Sequence, residues 1–392
     1  LILIGCSKKQ EENVSIEIWH YYNGAHKIAF DQLVMDFNET IGLEKGIMVE
    51  AFSQGDINNL QYKIMESVEE KVGASKLPNV VTAYSEIAYT LDQREMLVDL
   101  DDYISNQAIN EYVDSYIGEG RFGKENKLKI FPIAKATEIM MVNKTDWDKF
   151  SKATGATINS LATWEGVRKT AELYYNWTDS LTVEKNDGKA FFGRDALANY
   201  MLVGSRQLGK ELFKVEGDKV TLGIDETIMR KLWDNYYIPY ISGYYVSYGR
   251  FSTDDAKIGE IIALVGSTTG AVYFPDKVTI GDKDSYDIEL LALPVPNFIN
   301  KKPHAVQQGA GMVVLKSDQA HEQASVEFLK WFTEASRNLG FSVETGYLPV
   351  KKEAYDAIEI EDGFKQEIEK APKQIQISFP VAMEQIAEYD LH

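Results

Sequence analysis

The sequence predicts an α/β protein of more than one domain. Strand-type alternation and helix-type stripes follow one another along the first hundred residues. The chain has 392 residues, two to three times the usual ~150 of one domain. Its 44% apolar and 26% charged residues are the balance of a packed globular chain. VSIEIWHYY at 14–22 places Val14, Ile16 and Ile18 on one face and predicts a strand. Phe30, Leu33, Val34 and Phe37 then recur at helical spacing. IMVEAF at 47–52 returns to strand, and Ile57, Leu60, Ile64 and Val68 mark the next helix. LPNVVTAY at 77–84 is a third strand, entered through Pro78. Strands alternating with helices imply a sheet built from βαβ units.

The second half is less regular. LKIFPIAKATEIMMVNK at 128–144 is too long for one strand of ordinary length and holds Pro132, so it reads as two extended segments with a crossing between them. Thr163 N-caps a helix with Glu165 in its first turn. ALANYMLVGSRQLG, TIMRKLWDNYYIPYI and ASVEFLKWFTEASR read as helices, and IIALVGST, DIELLALPVP and AGMVVLKS as strands. Trp164, Trp177, Trp233 and Trp331 fall at helical positions and are expected in the core.

Charge and motifs narrow the function. A formal net charge of −19 repels phosphate backbones and argues against a nucleic-acid partner. No apolar run approaches the ~20 residues of a membrane-spanning helix. None of the five His stands in a metal-type spacing, and no phosphate loop or nucleophile elbow follows a strand, so neither a metal nor a cofactor is expected. The paired carboxylates Asp101–Asp102 and Asp254–Asp255 read as solvated loop residues. The one Cys, Cys6, follows Leu3-Ile4-Gly5. That pattern resembles the site where a bacterial lipoprotein signal peptide is cut and the new N-terminal Cys is lipidated. Residues 1–13 are accordingly read as a signal remnant and tether.

Five stretches have the character of binding loops. WHYYNG at 19–24 ends a strand and opens a helix, whose free N–H groups suit ligand oxygens. PIAKAT at 132–137 lies at the crossing. FFGRDALANY at 191–200 gathers Phe191, Phe192 and Tyr200 around Arg194 and Asp195, with an exposed ion pair as the plainer reading. LVGSTTGAVYF at 264–274 offers the hydroxyls of Ser267, Thr268 and Thr269, or a helix cap. ETGYLPVKKEAY at 344–355 holds Tyr347 between Gly346 and Pro349, a turn expected to present the ring rather than bury it.

Taken in order, the lipobox-like start, IEIWHYYNG, FPIAKATEIMMVNKTDW, GSTTGAVYF, GAGMVVLKS and TGYLPVKKEAY resemble the extracellular solute-binding proteins of ABC importers, the family 1 type that binds sugars and glycerol phosphates. The resemblance implies a periplasmic-binding-protein-like fold: two α/β lobes, a hinge of crossing strands and a central ligand cleft. It places lobe 1 at 14–134 and 309–343 and lobe 2 at 138–306 and 347–392. The crossings fall near Ala134–Thr137, Gln307–Gly309 and Thr345–Tyr347. It implies solute contacts at Tyr21, Tyr22, Asn23, Ser85, Ser267, Gly309 and Tyr347, with Ile57 and Ala136 behind them. Tyr21, Tyr22, Tyr347 and Phe192 are the expected ring platforms; Asn23, Ser85, Ser267, Thr268, Arg194 and Asp195 are the expected hydrogen-bonding groups.

The sequence departs from the glycerol-phosphate binders. They carry an acid where Ser85 stands, a Tyr at Ile57, a hydroxyl at Ala136 and an Arg near the C-terminus, whereas no Arg follows Arg337 here. A neutral sugar or oligosaccharide is therefore the expected solute, and a glycerol-3-phosphate-like solute the alternative. Arg194 or Lys135 placed in the site would favour an anion or peptide. The implied protein is a monomeric lipoprotein on the outer face of the cytoplasmic membrane, handing solute to ABC permease subunits without changing it. A surface glycosidase, which needs two carboxylates in a cleft, is the enzymatic rival.

Overall fold

The computed structural model describes residues 13–216, 219–281, 284–355, 366 and 368–392. Cys6 and the lipobox-like start lie outside them. Eight strands make two sheets: β1 (Val14–His20), β2 (Ile47–Ser53), β3 (Val80–Ala83), β4 (Glu138–Asn143), β5 (Phe192–Arg194), β6 (Ala263–Ser267), β7 (Leu290–Pro294) and β8 (Gly311–Val314).

The chain divides into two compact units. Unit 1 comprises the described residues up to Lys135, then Gly309–Thr345 and 349–355; unit 2 comprises Ala136–Gln308, Gly346–Leu348 and the described residues from 366. The expectation that the chain from 347 belongs to one lobe needs correction. Residues 349–355 group with unit 1, because Lys351 bridges Tyr112 and the Val113 N–H donates to the Val350 carbonyl.

The sheet of unit 1 runs β8-β3-β1-β2. β1 is parallel to β2, in register from Val14↔Ile47 to His20↔Ser53, and parallel to β3; β8 is antiparallel to β3. Parallel neighbours require crossovers, supplied by the Gly24–Phe37 and Ile57–Val68 helices. Asp56 caps the second by accepting from the Asn59 N–H at 2.9 Å. The core on one face joins Trp19, Leu60, Ile64, Val81, Leu91 and Val313. Aromatic packing of Phe30 and Phe37 against Phe328, Trp331 and Phe332 fixes the Gly24–Phe37 and Gln319–Phe332 helices together.

The sheet of unit 2 runs β7-β4-β6-β5, with β4 antiparallel to both its neighbours and β5 parallel to β6. Its core gathers Met140, Val142, Trp147, Phe150, Trp164 and Phe191. Thr163 caps the Trp164–Asp179 helix by accepting from the Gly166 N–H at 3.1 Å. ASVEFLKWFTEASR is divided between two helices, Gln319–Phe332 and Ala335–Thr345. Trp164 and Trp331 are buried as expected, but Trp233 is 48% exposed. On its helix Leu232 and Asn235 point inward, and Trp233, about 100° round from Leu232, faces out. Asp101 and Asp255 are also not loose loop acids. Asp101 grips the Arg121 guanidinium at 2.8 and 3.1 Å, and Asp255 is buried, accepting from the Tyr248 and Gly249 N–H groups.

Candidate functional site

In parallel sheets, ligand loops gather beyond the carboxyl ends of the strands, where side chains leave the sheet and backbone polar groups lose their ladder partners. In unit 1 the ends of β1, β2 and β3 carry Tyr21–Asn23, Gln54–Asp56 and Tyr84–Ser85. β8 runs the other way, so its amino end, Gly311 opposite Ala83, brings Gly309 to the same edge. The loops are tied to each other: Ser53 Oγ donates to the Tyr22 carbonyl at 2.7 Å, Asn23 Nδ2 to the Gly55 carbonyl at 3.1 Å, and the Gln54 N–H to the His20 carbonyl at 2.8 Å.

Within this edge the expected residues separate. Asn23 and Ser85 are exposed and the Tyr21 ring is half-buried. Tyr22 is enclosed by His20, Phe30 and Phe341, and burial holds its hydroxyl well above the usual tyrosine range. A ring so enclosed has no face for a sugar, so the platform expectation for Tyr22 is corrected. The ring that sequence reasoning missed is Tyr84: it lies 6.5 Å from Tyr21, the planes only 17° apart, and stays half-buried. Gly309 is buried at φ +96°, a backbone that other residues adopt only under strain. Its carbonyl accepts from Lys135 Nζ at 2.9 Å. Lys135 is 1% exposed and also pairs with Glu119 at 2.8 Å; burial pulls its ammonium below the usual lysine range. Ile57 heads its helix half-buried.

The corresponding edge of unit 2 carries Arg194 and Asp195 where β5 ends and Ser267 and Thr268 where β6 ends, with Glu138 at the start of β4 paired to Ser267. The Thr268 N–H donates to the Thr137 carbonyl at 2.8 Å, beside the buried Ala136. Ser267 Oγ and Thr269 Oγ1 share a hydrogen bond of 3.0 Å. Ser267 heads a short helical turn without a side-chain cap, so its hydroxyl is not committed to capping. Thr268 Oγ1 and Arg194 Nη1 are buried with no partner among the described residues, which is how polar atoms stand where a ligand or water completes them. Asp195 accepts from the Ser252 N–H at 2.7 Å.

Arg194 does not make the exposed ion pair with Asp195 that its neighbour suggested. It lies buried against the rings of Trp164 and Tyr200, at 5.3 and 5.8 Å, and pairs with the buried Glu138, which also accepts from Asn199 Nδ2 at 2.9 Å. Burial pushes the Glu138 carboxyl up, against the pull of Arg194. Phe192 is fully buried among Trp164 and Tyr245, and Tyr347 is 5% exposed; neither presents a platform here. Tyr347 sits beside Gly346, where φ is +75° and an added Cβ would stand 2.6 Å from the Thr268 carbonyl oxygen. Gly346→Ala is accordingly expected to cost about 2 kcal/mol through left-handed strain and the backbone clash. Urea unfolding checks this, and an unchanged midpoint would refute the close approach.

A family model described as bacterial extracellular solute-binding protein matches residues 32–372. The chain belongs to this family. Among solved structures, the solute-binding protein is similar to the cyclic α-maltosyl-1,6-maltose binding protein of Arthrobacter globiformis, with a TM-score of 0.72 at 18% identity over 97% of this chain and 88% of that one. It is similar to UgpB of Mycobacterium tuberculosis in complex with glycerophosphocholine, with a TM-score of 0.73 at 19% identity over 96% and 87%. It is similar also to the maltose/maltodextrin-binding domain MalE of Bdellovibrio bacteriovorus bound to maltotriose, with a TM-score of 0.68 at 13% identity over 97% and 88%. At these identities the likeness establishes the fold, that of periplasmic binding proteins. No curated protein matches the sequence. Among the described residues of the binding protein, no helix is long and apolar enough to cross a membrane, and no group of His, Cys, Asp or Glu could hold a metal ion.

Proposed function

We propose that this solute-binding protein captures a neutral carbohydrate, a sugar or oligosaccharide, and delivers it unchanged to an ABC permease. The observation that carries the reading is electrostatic. Three cations close to the strand-end residues are already neutralised: Lys135 by Glu119, Arg194 by Glu138 and Lys27 by Asp31. A phosphate would find no uncompensated charge among them, whereas hydroxyls would find donors, acceptors and ring faces. A sugar presents hydroxyls at its rim and C–H groups on its faces, so it needs both. Tyr21 and Tyr84 serve as ring surface in unit 1, with Asn23, Ser85 and backbone at Gly309 as polar partners. Ser267, Thr268 and Asp195 serve unit 2. Sugar-binding relatives of this fold support the reading; the glycerophosphocholine complex is the phosphorylated alternative.

A thermal-shift screen of neutral sugars, sugar phosphates and glycerophosphocholine tests it, since a ligand selective for the native state raises the melting temperature. Neutral oligosaccharides should give the shift and be recovered intact. Tyr21→Ala and Ser267→Ala should each weaken binding about tenfold. A shift given by phosphorylated compounds alone would overturn the neutral reading. The proposal extends to lipid on Cys6, which would hold the protein beside its permease; more than one acyl chain is required for stable anchoring. Mass spectrometry of the N-terminal peptide from membranes checks that.

A further inference from the structure

In unit 2 the Trp164–Asp179 and Glu226–Ile241 helices pack together and turn matching triplets toward a shared groove. Glu165, Arg168 and Lys169 come from one, Lys231, Asp234 and Asn235 from the other, both at i, i+3, i+4, the spacing that shares a helix face. The groove, about 400 Å³, is within the size range of small-molecule sites.

Its charges do not cancel. Glu165 Oε1 takes Lys231 Nζ at 2.7 Å and its Oε2 accepts from the Ile299 N–H at 3.2 Å, so both oxygens of that carboxylate are engaged. Asp234 is held by Arg230 at 2.9 Å. Arg168 and Lys169 meet no carboxylate among the described residues. Asn235 is 2% exposed; its Nδ2 donates to the Lys231 carbonyl at 2.8 Å, while its Oδ1 is buried with no partner. Two cations and one buried acceptor are therefore left unmatched on the same groove. An anion without an O–H, such as sulfate, would answer the cations and leave Asn235 unmet, and a neutral sugar would do the reverse. A molecule with an anionic group and a hydroxyl answers both, and the guanidinium fork suits a carboxylate or phosphate.

We propose that this groove is a second binding site of the protein, for a small hydroxylated anion such as a sugar acid or sugar phosphate. Arg168 and Lys169 hold the anionic group and Asn235 Oδ1 accepts from a hydroxyl. The site is built from helix faces and does not depend on the neutral-solute reading of the strand edges.

Calorimetric titration of the full chain carrying Tyr21→Ala/Ser267→Ala, which weakens the strand-edge residues, tests it with galacturonate, glucose 6-phosphate and glucose. At least one of the two anions should bind, identifying carboxylate or phosphate as the preferred group, and glucose should give no comparable heat. Adding Arg168→Ala/Lys169→Ala should lower anion affinity about tenfold or more. Lys169→Glu, at a solvent-facing position, should lower it without disturbing packing. Absence of heat with both anions, equal binding of glucose, or affinity unchanged by the Arg168 and Lys169 substitutions would each overturn the proposal. Anion binding seen in the wild type but lost in Tyr21→Ala/Ser267→Ala would assign it to the strand edges, and would count against the neutral reading rather than for the groove.

Discussion

Arg194→Ala is expected to destabilise unit 2 by about 3–5 kcal/mol. The side chains of Arg194 and Glu138 are 1% and 3% exposed, so removing the guanidinium leaves a carboxylate without its counter-charge in a medium that solvates it poorly. The rest of the guanidinium's contacts go as well: Nε donates to the Ala196 carbonyl at 3.0 Å, and the plane lies over Trp164 and Tyr200. The cost lies in breaking the pair, not in lacking it. Taking two charges out of water costs nearly what their attraction returns, so Glu138→Leu combined with Arg194→Met should fall close to the wild type or above it. Urea unfolding followed by tryptophan fluorescence separates the cases. A single variant within about 1 kcal/mol of the wild type would place the pair in solvent-like surroundings.

The same pair shows what the sequence could and could not convey. Alternation at Val14, Ile16 and Ile18 and the stripe from Phe30 to Phe37 report local periodicity, which one sequence carries in full, and β1 and its following helix stand where these patterns put them. The partners of Lys135 and Arg194 lie 16 and 56 residues away, and no local pattern encodes such a distance. Both cations were therefore legible as residues near a site and illegible as neutralised ones. Tyr347 failed for a related reason. A Gly–Tyr–Leu–Pro turn looks like a surface feature, but Gly346 is pressed against the Thr268 backbone, so the turn is packed inward. Tyr84 ends a strand and carries no local signal of a site; only the parallel order of β1 and β3 sets it beside Tyr21. Strand ends and their loops could be read from the sequence, and the side chains left unpaired there could not.

Acid should weaken unit 1 through His20, by about 3 kcal/mol between neutral pH and pH 4. The ring is 0% exposed and packs 4.8 Å from Phe30. Nδ1 accepts from the Tyr22 N–H at 3.2 Å, which puts the proton of the neutral ring on Nε2, a buried atom with no partner among the described residues. Burial disfavours the imidazolium and pulls its pKa from 6.5 down to about 4, with Asp31 opposing and Lys27 assisting. The sign follows from proton binding. Below 6.5 the unfolded chain takes a proton that the folded ring refuses, so stability is fully present above 6.5 and drains away as pH falls toward 4. Carboxylates titrate over part of the same window, which makes the difference between two proteins the proper measure. His20→Asn keeps an acceptor for the Tyr22 N–H and removes the titration. Its unfolding free energy should be lower than that of the wild type at pH 7 and should fall less steeply down to pH 4. Parallel pH profiles for the two proteins would mean that His20 accepts its proton in the folded state as readily as in water. Because the folded ring stays neutral down to about 4, the solute affinity of the folded protein should hold over the same interval.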